Sequence, residues 1–301
     1  MHKKKTCTIC GNDGAVFWYT KHSAADGRAY DIFKCGSCHS GFVFPPPTEE
    51  YLDEFYNSEM NPHGGILVGN DLDEHLKSVL ESERNYPNST VDAERIAGFA
   101  MQYARGKDFL DVGAGYGFFS RAAKLQGFNC AAIESGSNNC KIFQMMNGFE
   151  PFNQALDDGF SYSNENKFDV VLLSQVLEHI PNPQNAARQI WRILKKDGLC
   201  IIAVPHFGSL VSKIQGKNDM FIVPPEHVNF FSIHGLHKLF ERSGFDLIKT
   251  HTVSRYDRNR LAGRVKPHLL SSGLCGGVSL ALNFSDLLDR GMFINSYFRK
   301  V

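Results

Sequence analysis

The chain has 301 residues, of which 43% are hydrophobic, and its 32 basic side chains balance its 32 acidic ones. This composition supports a packed hydrophobic core. Because nucleic-acid binders usually carry a basic excess or a basic stripe, the zero net charge makes a nucleic-acid partner unfavoured.

The N-terminus is charged and leads directly into cysteines, without the pattern of a signal peptide. No apolar run reaches the length of a membrane span. We therefore expect a cytoplasmic protein with no membrane span, whose cysteines are reduced or metal-bound.

Two CxxC pairs lie near the start of the chain, Cys7 with Cys10 and Cys35 with Cys38. Four thiolates complete a tetrahedral shell, so this spacing predicts a structural zinc site with no open ligand position. Redox cysteines or coincidence are the alternatives. Apolar runs at 16–19 and 30–33 predict a hairpin between the pairs, and Pro45-Pro46-Pro47 ends this predicted zinc ribbon at residue 47.

Residues 48–105 predict a helical collar that packs near the mouth of a ligand site. A short acidic-aromatic helix covers 48–56, and a Gly- and Pro-rich loop surrounds 62–65. A helix from Asp71 to about Arg84 and another over 92–104 follow, the first with Glu74 placed for a capping box.

From residue 106 onward strands and helices alternate, which is typical of a mostly parallel sheet with helices on both faces. The predicted fold class is α/β with a Rossmann-like sheet of seven strands, in a domain covering 106–301. Residues 255–291 are assigned as an uncertain insertion or tail. The predicted strands lie at 109–112, 130–133, 149–153 (weak), 168–173, 199–204, 246–253 and, antiparallel, 292–300.

The stretch from Phe109 to Ser120 predicts a buried strand, a tight turn and the start of a helix. An acid, Asp111, precedes three glycines on alternate positions, Gly113, Gly115 and Gly117. Glycine tolerates positive φ and lets the backbone approach a ligand closely. A dinucleotide fingerprint needs its third glycine one residue later, so the spacing does not fit that motif.

Glu134 ends the next predicted strand, about 20 residues after the first glycine. An acid at this position is placed to accept hydrogen bonds from both hydroxyls of a ribose. The alternative is a solvated loop acid.

Two further segments bring polar side chains to the same edge of the sheet. Ser174, Gln175 and His179 follow the strand that begins at Phe168, and His179 is either a reactive group or a packed turn residue. Glu226 and His227 lie in a loop before the helix capped by Ser232. A carboxylate beside an imidazole can create a base near neutral pH, whereas the alternative is a pair that fixes the loop.

The glycine turn, the acid after the second strand and the segment FDVVLLSQVLEHIP resemble class I S-adenosylmethionine (SAM) methyltransferases over residues 106–254. The whole layout is similar to bacterial methyltransferases with an N-terminal zinc ribbon, including sugar C-methyltransferases. The resemblance implies SAM as cofactor, held by Gly113, Gly115 and Gly117, with Asp111 supporting the turn and Glu134 binding ribose.

The same resemblance places Leu156 and Asp157 at the adenine and Ser174 beside the cofactor and substrate. It makes His227, oriented by Glu226, the first candidate base and His179 the second. Those sugar enzymes continue into a further C-terminal domain, from which this sequence departs, so a sugar acceptor is one expectation among small metabolites. The alternatives are a zinc-ribbon rRNA methyltransferase and a non-catalytic interaction protein on a SAM-like scaffold. Whether the methyl group goes to an oxygen, carbon or nitrogen atom is left open, as is the oligomeric state.

Overall fold

The structure is a computed structural model that describes residues 4–56, 71–85, 87–255 and 281–301. The described residues form two β-sheets, one of five strands and the other of six.

The five-stranded sheet is antiparallel and includes one strand from far along the chain. Its strands are β1 (Lys5–Thr6), β2 (Asp13–His22), β3 (Ala29–Cys35), β4 (Gly41–Val43) and β9 (Asn229–Phe230). The hairpin between the two cysteine pairs is confirmed, with strands longer than the sequence indicated. The predicted ribbon, by contrast, is completed by β9, which the sequence did not reveal.

The described residues after the ribbon form the helices α1 (Glu49–Tyr56), α2 (Leu72–Asn85) and α3 (Asn88–Tyr103). Small side chains allow α3 to lie close to the next helix of the chain, because Ala93 and Ala97 pack against Ala122. The predicted loop at 62–65 lies outside the described residues.

The larger sheet is mostly parallel, as predicted. Its strands are β5 (Asp108–Val112), β6 (Asn129–Ile133), β7 (Phe168–Ser174), β8 (Leu194–Pro205), β10 (Phe245–Val253) and β11 (Phe293–Lys300). Strands β6, β5, β7 and β8 pair in parallel, and β11 inserts antiparallel between β8 and β10. The antiparallel final strand is therefore confirmed. Seven strands were predicted, but the segment 149–153 forms only an isolated parallel bridge between Phe152 and Ile133.

Helices α4 (Phe118–Leu125), α5 (Ser137–Asn147), α6 (Asp158–Ser163), α7 (Pro183–Ile193), α8 (Leu210–Gln215) and α9 (Ile233–Glu241) connect these strands. Residues 281–287 are also helical. Most of the insertion or tail predicted at 255–291 lies outside the described residues.

Two apolar cores cover the two faces of the larger sheet. Leu110, Val171 and Ile202 face a core shared with α7 and α9, whereas their neighbours Phe109 and Val170 face one shared with α3 and α4. Alternate residues of a strand point to opposite faces, so a strand covered on both sides is apolar throughout. The four cysteines of the ribbon belong to the first core, which places the ribbon on the α7 and α9 side.

Within the described residues, no helix combines the length and the apolar character needed to cross a lipid bilayer.

Candidate active site

The turn between β5 and α4 requires its glycines for reasons that differ from one to the next. Gly113 and Gly117 have φ values of +67° and +88°, and a Cβ at either position would collide with Val176 or Asn147. Gly115 also has positive φ, +53°, but a Cβ there would meet no atom within 4 Å. Its neighbourhood is open on the side where a ligand can approach the backbone.

Glu134 is buried at the end of β6 and contacts this turn directly. One carboxylate oxygen accepts a hydrogen bond from the Gly115 amide at 2.7 Å. The other accepts from the Gly136 amide at 2.8 Å and from the Asn139 side chain at 3.3 Å. The solvated loop acid considered above does not fit this geometry. A carboxylate has about four lone-pair sites, so these three bonds leave capacity for about one further donor.

Asp111 lies beneath the turn and is fully buried. Its Oδ2 accepts a hydrogen bond from the Ser120 hydroxyl, in the first turn of α4, at 2.8 Å. Burial raises the pKa of Asp111 to about 7. The side chain therefore ties the strand to the following helix, which is a supporting role for the turn.

Helix α2 covers the turn through a contact that the sequence did not indicate. His75 is buried, and its Nε2 lies 3.0 Å from the hydroxyl of Tyr116, which stands between the second and third glycines. Burial and the charge of Glu134 raise the pKa of Tyr116. The only sequence signal was the expectation that the collar packs near the ligand site.

The remaining predicted cofactor residues lie at the ends of neighbouring elements. Leu156 is half-buried against the main core. Asp157 caps α6 by accepting a hydrogen bond from the Phe160 amide at 2.6 Å. Ser174 is the last residue of β7, next to β5, so it reaches the same edge of the sheet as the glycine turn.

His179 lies in the short 3-10 turn after β7, next to the loop that carries Glu226. Its Nδ1 is 2.8 Å from the carbonyl oxygen of Glu226 and 3.0 Å from the hydroxyl of Tyr56, at the end of α1. Tyr56 donates to the same carbonyl at 3.1 Å. Because a carbonyl only accepts, Nδ1 of His179 carries a proton, and Nε2 is the basic nitrogen of the neutral ring. The sequence did not single out Tyr56.

His227 is held in a matching way, by a backbone carbonyl. Its Nδ1 lies 2.8 Å from the carbonyl oxygen of Phe221, which makes its Nε2 the basic nitrogen as well. From the sequence we expected Glu226 to orient this ring, and the hydrogen bond to the Phe221 carbonyl was not predicted. The rings of His179 and His227 are 4.8 Å apart between centroids and nearly perpendicular.

Glu178 is a further acid at this site that sequence reasoning missed, although it directly precedes His179. It is fully buried, and neither carboxyl oxygen has a hydrogen-bond partner among the described residues. One ligand atom each of Glu178, His179 and His227 lies within 4.8 Å of the others. Burial raises the pKa of Glu178 to about 8, and the charge of Glu226 adds to this shift.

The four predicted zinc ligands converge in the ribbon. Cys7, Cys10, Cys35 and Cys38 are buried, and their sulfur atoms all lie within 4.8 Å of one another. The Cys7 and Cys38 sulfurs are 3.8 Å apart, and those of Cys10 and Cys35 are 3.6 Å apart. In a tetrahedral site with Zn–S bonds of about 2.3 Å, the sulfurs are separated by about 3.8 Å, so the donor set fits zinc.

A bound cation would allow the buried Cys10 thiol to act as a ligand. Burial raises the pKa of Cys10 to about 11, so without a cation this thiol would keep its proton at neutral pH. A bound metal ion deprotonates its thiol ligands and reverses this preference.

Residues 89–250, more than half of the chain, match the sequence model of a family described as a methyltransferase domain. Among curated proteins, the ubiquinone biosynthesis O-methyltransferase of Pseudomonas putida (strain W619) is 31% identical over 97 residues. The match covers 31% of this chain and 42% of that protein, so the chain spans less than half the length of this relative.

Two solved structures are similar in fold at 16% sequence identity. A SAM-dependent methyltransferase from Archaeoglobus fulgidus gives a TM-score of 0.54, covering 74% of this chain and 99% of its own. A possible histamine N-methyltransferase from Thermotoga maritima gives 0.50, covering 76% and 98%.

Proposed function

This chain belongs to the family of methyltransferase domains, and we propose that it transfers the methyl group of SAM to a small acceptor that carries an ionisable hydroxyl group. One observation supports this most strongly. The carboxylate of Glu134 bonds to the amide of Gly115, inside the glycine turn, at the sheet edge that also carries His179. The proposed cofactor residues and the candidate bases would therefore share one edge of the sheet.

The cofactor would be bound by groups already in position. The open side of Gly115 would receive the amino-acid end, and Glu134 would accept a hydrogen bond from the ribose. Leu156 and Asp157 would border the adenine, and Ser174 would lie beside the reacting end. The buried contact between His75 and Tyr116 would keep water from the turn.

When bound, SAM supplies an electrophilic methyl group, so the protein has to position the acceptor and remove its proton. His227 is our first candidate for the base and His179 the second. Each ring has its Nδ1 held by a backbone carbonyl, which directs the basic Nε2 into a fixed position. The charge of Glu226 would stabilise an imidazolium, and the buried Glu178 would do the same once it has lost its proton.

The acceptor class is the finer part of the proposal. The curated relative is named for O-methylation in ubiquinone biosynthesis, and that name describes the relative. A histidine base suits an acceptor with a phenol, enol or sugar hydroxyl group. For an enol, the proposal includes transfer of the methyl group to the adjacent carbon. A sugar acceptor is supported only by the resemblance that carries Glu226 and His227. The balanced net charge disfavours RNA.

The ribbon is proposed to hold one structural zinc ion through Cys7, Cys10, Cys35 and Cys38. Four protein ligands leave no open position for an acceptor or a water molecule. The zinc ion would therefore stabilise the ribbon and take no part in methyl transfer.

The first test of this function is SAM binding by isothermal titration calorimetry. We expect a dissociation constant in the micromolar range, and no binding at about 1 mM SAM would refute the proposal. The acceptor is then found by screening nucleotide sugars, phenolic acids and RNA oligonucleotides for release of S-adenosylhomocysteine.

A substitution in the proposed base separates catalysis from binding. His227→Asn keeps a donor for the Phe221 carbonyl but lacks Nε2, so methyl transfer should fall about 100-fold or more. SAM affinity should stay within about twofold, because the substitution leaves the glycine turn intact. His234→Asn, on the exposed surface of α9, is the matched control and should retain activity. Full activity in His227→Asn would move the assignment to His179.

A further inference from the structure

The loop that carries Glu226 and His227 continues directly into the ribbon sheet. Strand β9 begins two residues after His227 and pairs antiparallel with β4, with Phe42 opposite Asn229 and Gly41 opposite Phe230. One residue earlier, the carbonyl of Val228 accepts a hydrogen bond from the Val43 amide at 2.9 Å. The position of this loop therefore depends on the position of the ribbon.

Asn229 joins three segments of the chain at a buried position. Its Oδ1 accepts a hydrogen bond from the Thr8 hydroxyl at 2.9 Å, and Thr8 lies between the first two cysteines. Its Nδ2 donates to the carbonyl of Ile180 at 2.7 Å, directly after His179. Asn229 is 2% exposed, so its amide depends on these two protein partners and has little access to water.

The same three segments are joined by backbone and side-chain bonds around Asn229. The Val228 amide donates to the carbonyl of Glu178 at 2.9 Å, which pairs the two loops that carry the imidazoles. Gln184, at the start of α7, donates to the carbonyl of Thr8 at 3.0 Å. Asn229 thus lies at the centre of a contact among the first cysteine pair, the His179 turn and β9.

We propose that Asn229 is a positioning residue for the acceptor site, which transmits the position of the first cysteine pair to the two imidazoles of His179 and His227. An amide suits this place because it accepts on one side and donates on the other. The inference rests on the proposed function, since the separation of the two rings matters only if they serve an acceptor. Thr8 is the side chain that links the first cysteine pair to Asn229.

The proposal is tested with variants that each break one of the two bonds. Thr8→Val keeps the shape of the side chain and removes the donor to Asn229. Asn229→Asp keeps an acceptor for Thr8 but sets a carboxylate oxygen against the Ile180 carbonyl. Thr8→Ser preserves the hydroxyl, and Lys238→Ala removes a different ribbon contact, the 3.3 Å bond to Ser37. The last two variants are controls.

The first measurement is amide hydrogen exchange in the full chain. Loss of one hydrogen bond makes local opening easier, so exchange in segments 177–182 and 226–231 should become about tenfold faster in Thr8→Val and Asn229→Asp. The controls should match the wild type.

The second measurement is the NMR spectrum of the chain labelled with 13C,15N-histidine. Signals of His179 and His227 should shift in both test variants. Signals of His237, a residue of α9 that is hydrogen-bonded to Thr250 of β10, should not shift. Unchanged exchange and unchanged signals would overturn the proposal. Equal acceleration of exchange throughout the chain would also overturn it, because it would show a general structural role.

If Asn229→Asp does not fold, Thr8→Val decides alone, since it leaves Asn229 in place. Zinc content and SAM affinity are measured on the same samples and should be unchanged. A wild-type chain that fails to bind SAM would contradict the proposed function, while exchange and NMR would still decide the role of Asn229.

Discussion

Glu134→Gln is the substitution that tests the cofactor site most directly. In the structure both carboxylate oxygens face a backbone amide, that of Gly115 at 2.7 Å and that of Gly136 at 2.8 Å. Glutamine replaces one oxygen with an NH2 group, so whichever way its side chain turns, one donor faces another. At least one backbone amide then loses its acceptor.

The expected magnitude follows from these contacts. One buried amide without an acceptor costs about 1–3 kcal/mol of folding stability. On the ligand side, a ribose hydroxyl would lose a charged acceptor, and hydrogen bonds to charged groups are about twice as strong as neutral ones. We expect SAM affinity to fall by about 3 kcal/mol, or roughly 100-fold in Kd.

Calorimetric titration with SAM measures the affinity, and urea unfolding measures the stability. Glu150→Gln is the matched control, because Glu150 is an exposed acid that accepts a hydrogen bond from the Gln144 side chain, and both quantities should remain unchanged. If Glu134→Gln binds SAM within about twofold of the wild type, the ribose assignment and the reasoning from carboxylate geometry are wrong.

Three further outcomes follow from the structure. Gly113→Ala should lower the free energy of unfolding in urea by about 1–3 kcal/mol more than Gly27→Ala does. Both glycines have a φ near +70°, but only at Gly113 would a Cβ lie 2.5 Å from Val176. Equal losses of stability would contradict this steric argument. Cys10→Ser should lower the zinc content measured by atomic emission from one ion per chain to a small fraction, and a retained ion would exclude the four-cysteine site. The pKa of the buried Glu178 is raised to about 8, above its value in the unfolded chain, so the native state binds more protons between about pH 4.5 and 8. The free energy of unfolding should therefore fall as pH rises through that window. Glu178→Gln should make this dependence on pH weaker in urea unfolding, and an unchanged dependence would refute the pKa shift.

The parts of the site that could be predicted are those encoded in neighbouring residues. The glycine turn and Glu134 depend on local spacing after apolar strands, and the structure joins them by a hydrogen bond between residues 19 positions apart. The cysteine pairs carry the same kind of local signal. Their roles toward SAM and zinc stay predictions that the experiments above address.

The parts that could not be predicted depend on contacts between distant segments. Tyr56 reaches His179 across 123 positions, and Thr8 reaches Asn229 across 221. Nothing in the two-residue stretch Asn229-Phe230 distinguishes a strand, because its hydrogen-bond partners are supplied by β4. Segment 149–153 shows the converse, since its apolar pattern predicted a strand that tertiary packing reduced to one bridge.

Strand β9 lies far from β4 along the chain, and this separation has a consequence for biosynthesis. Ribosomes deliver the N-terminus first, yet the backbone groups of β4 that face β9 remain without partners until residue 230 has emerged. During that interval the nascent hairpin presents an unpaired strand edge, a known template for wrong association. We expect chaperones or early zinc capture to matter most in that period, and a severed ribbon expressed alone to self-associate through β4.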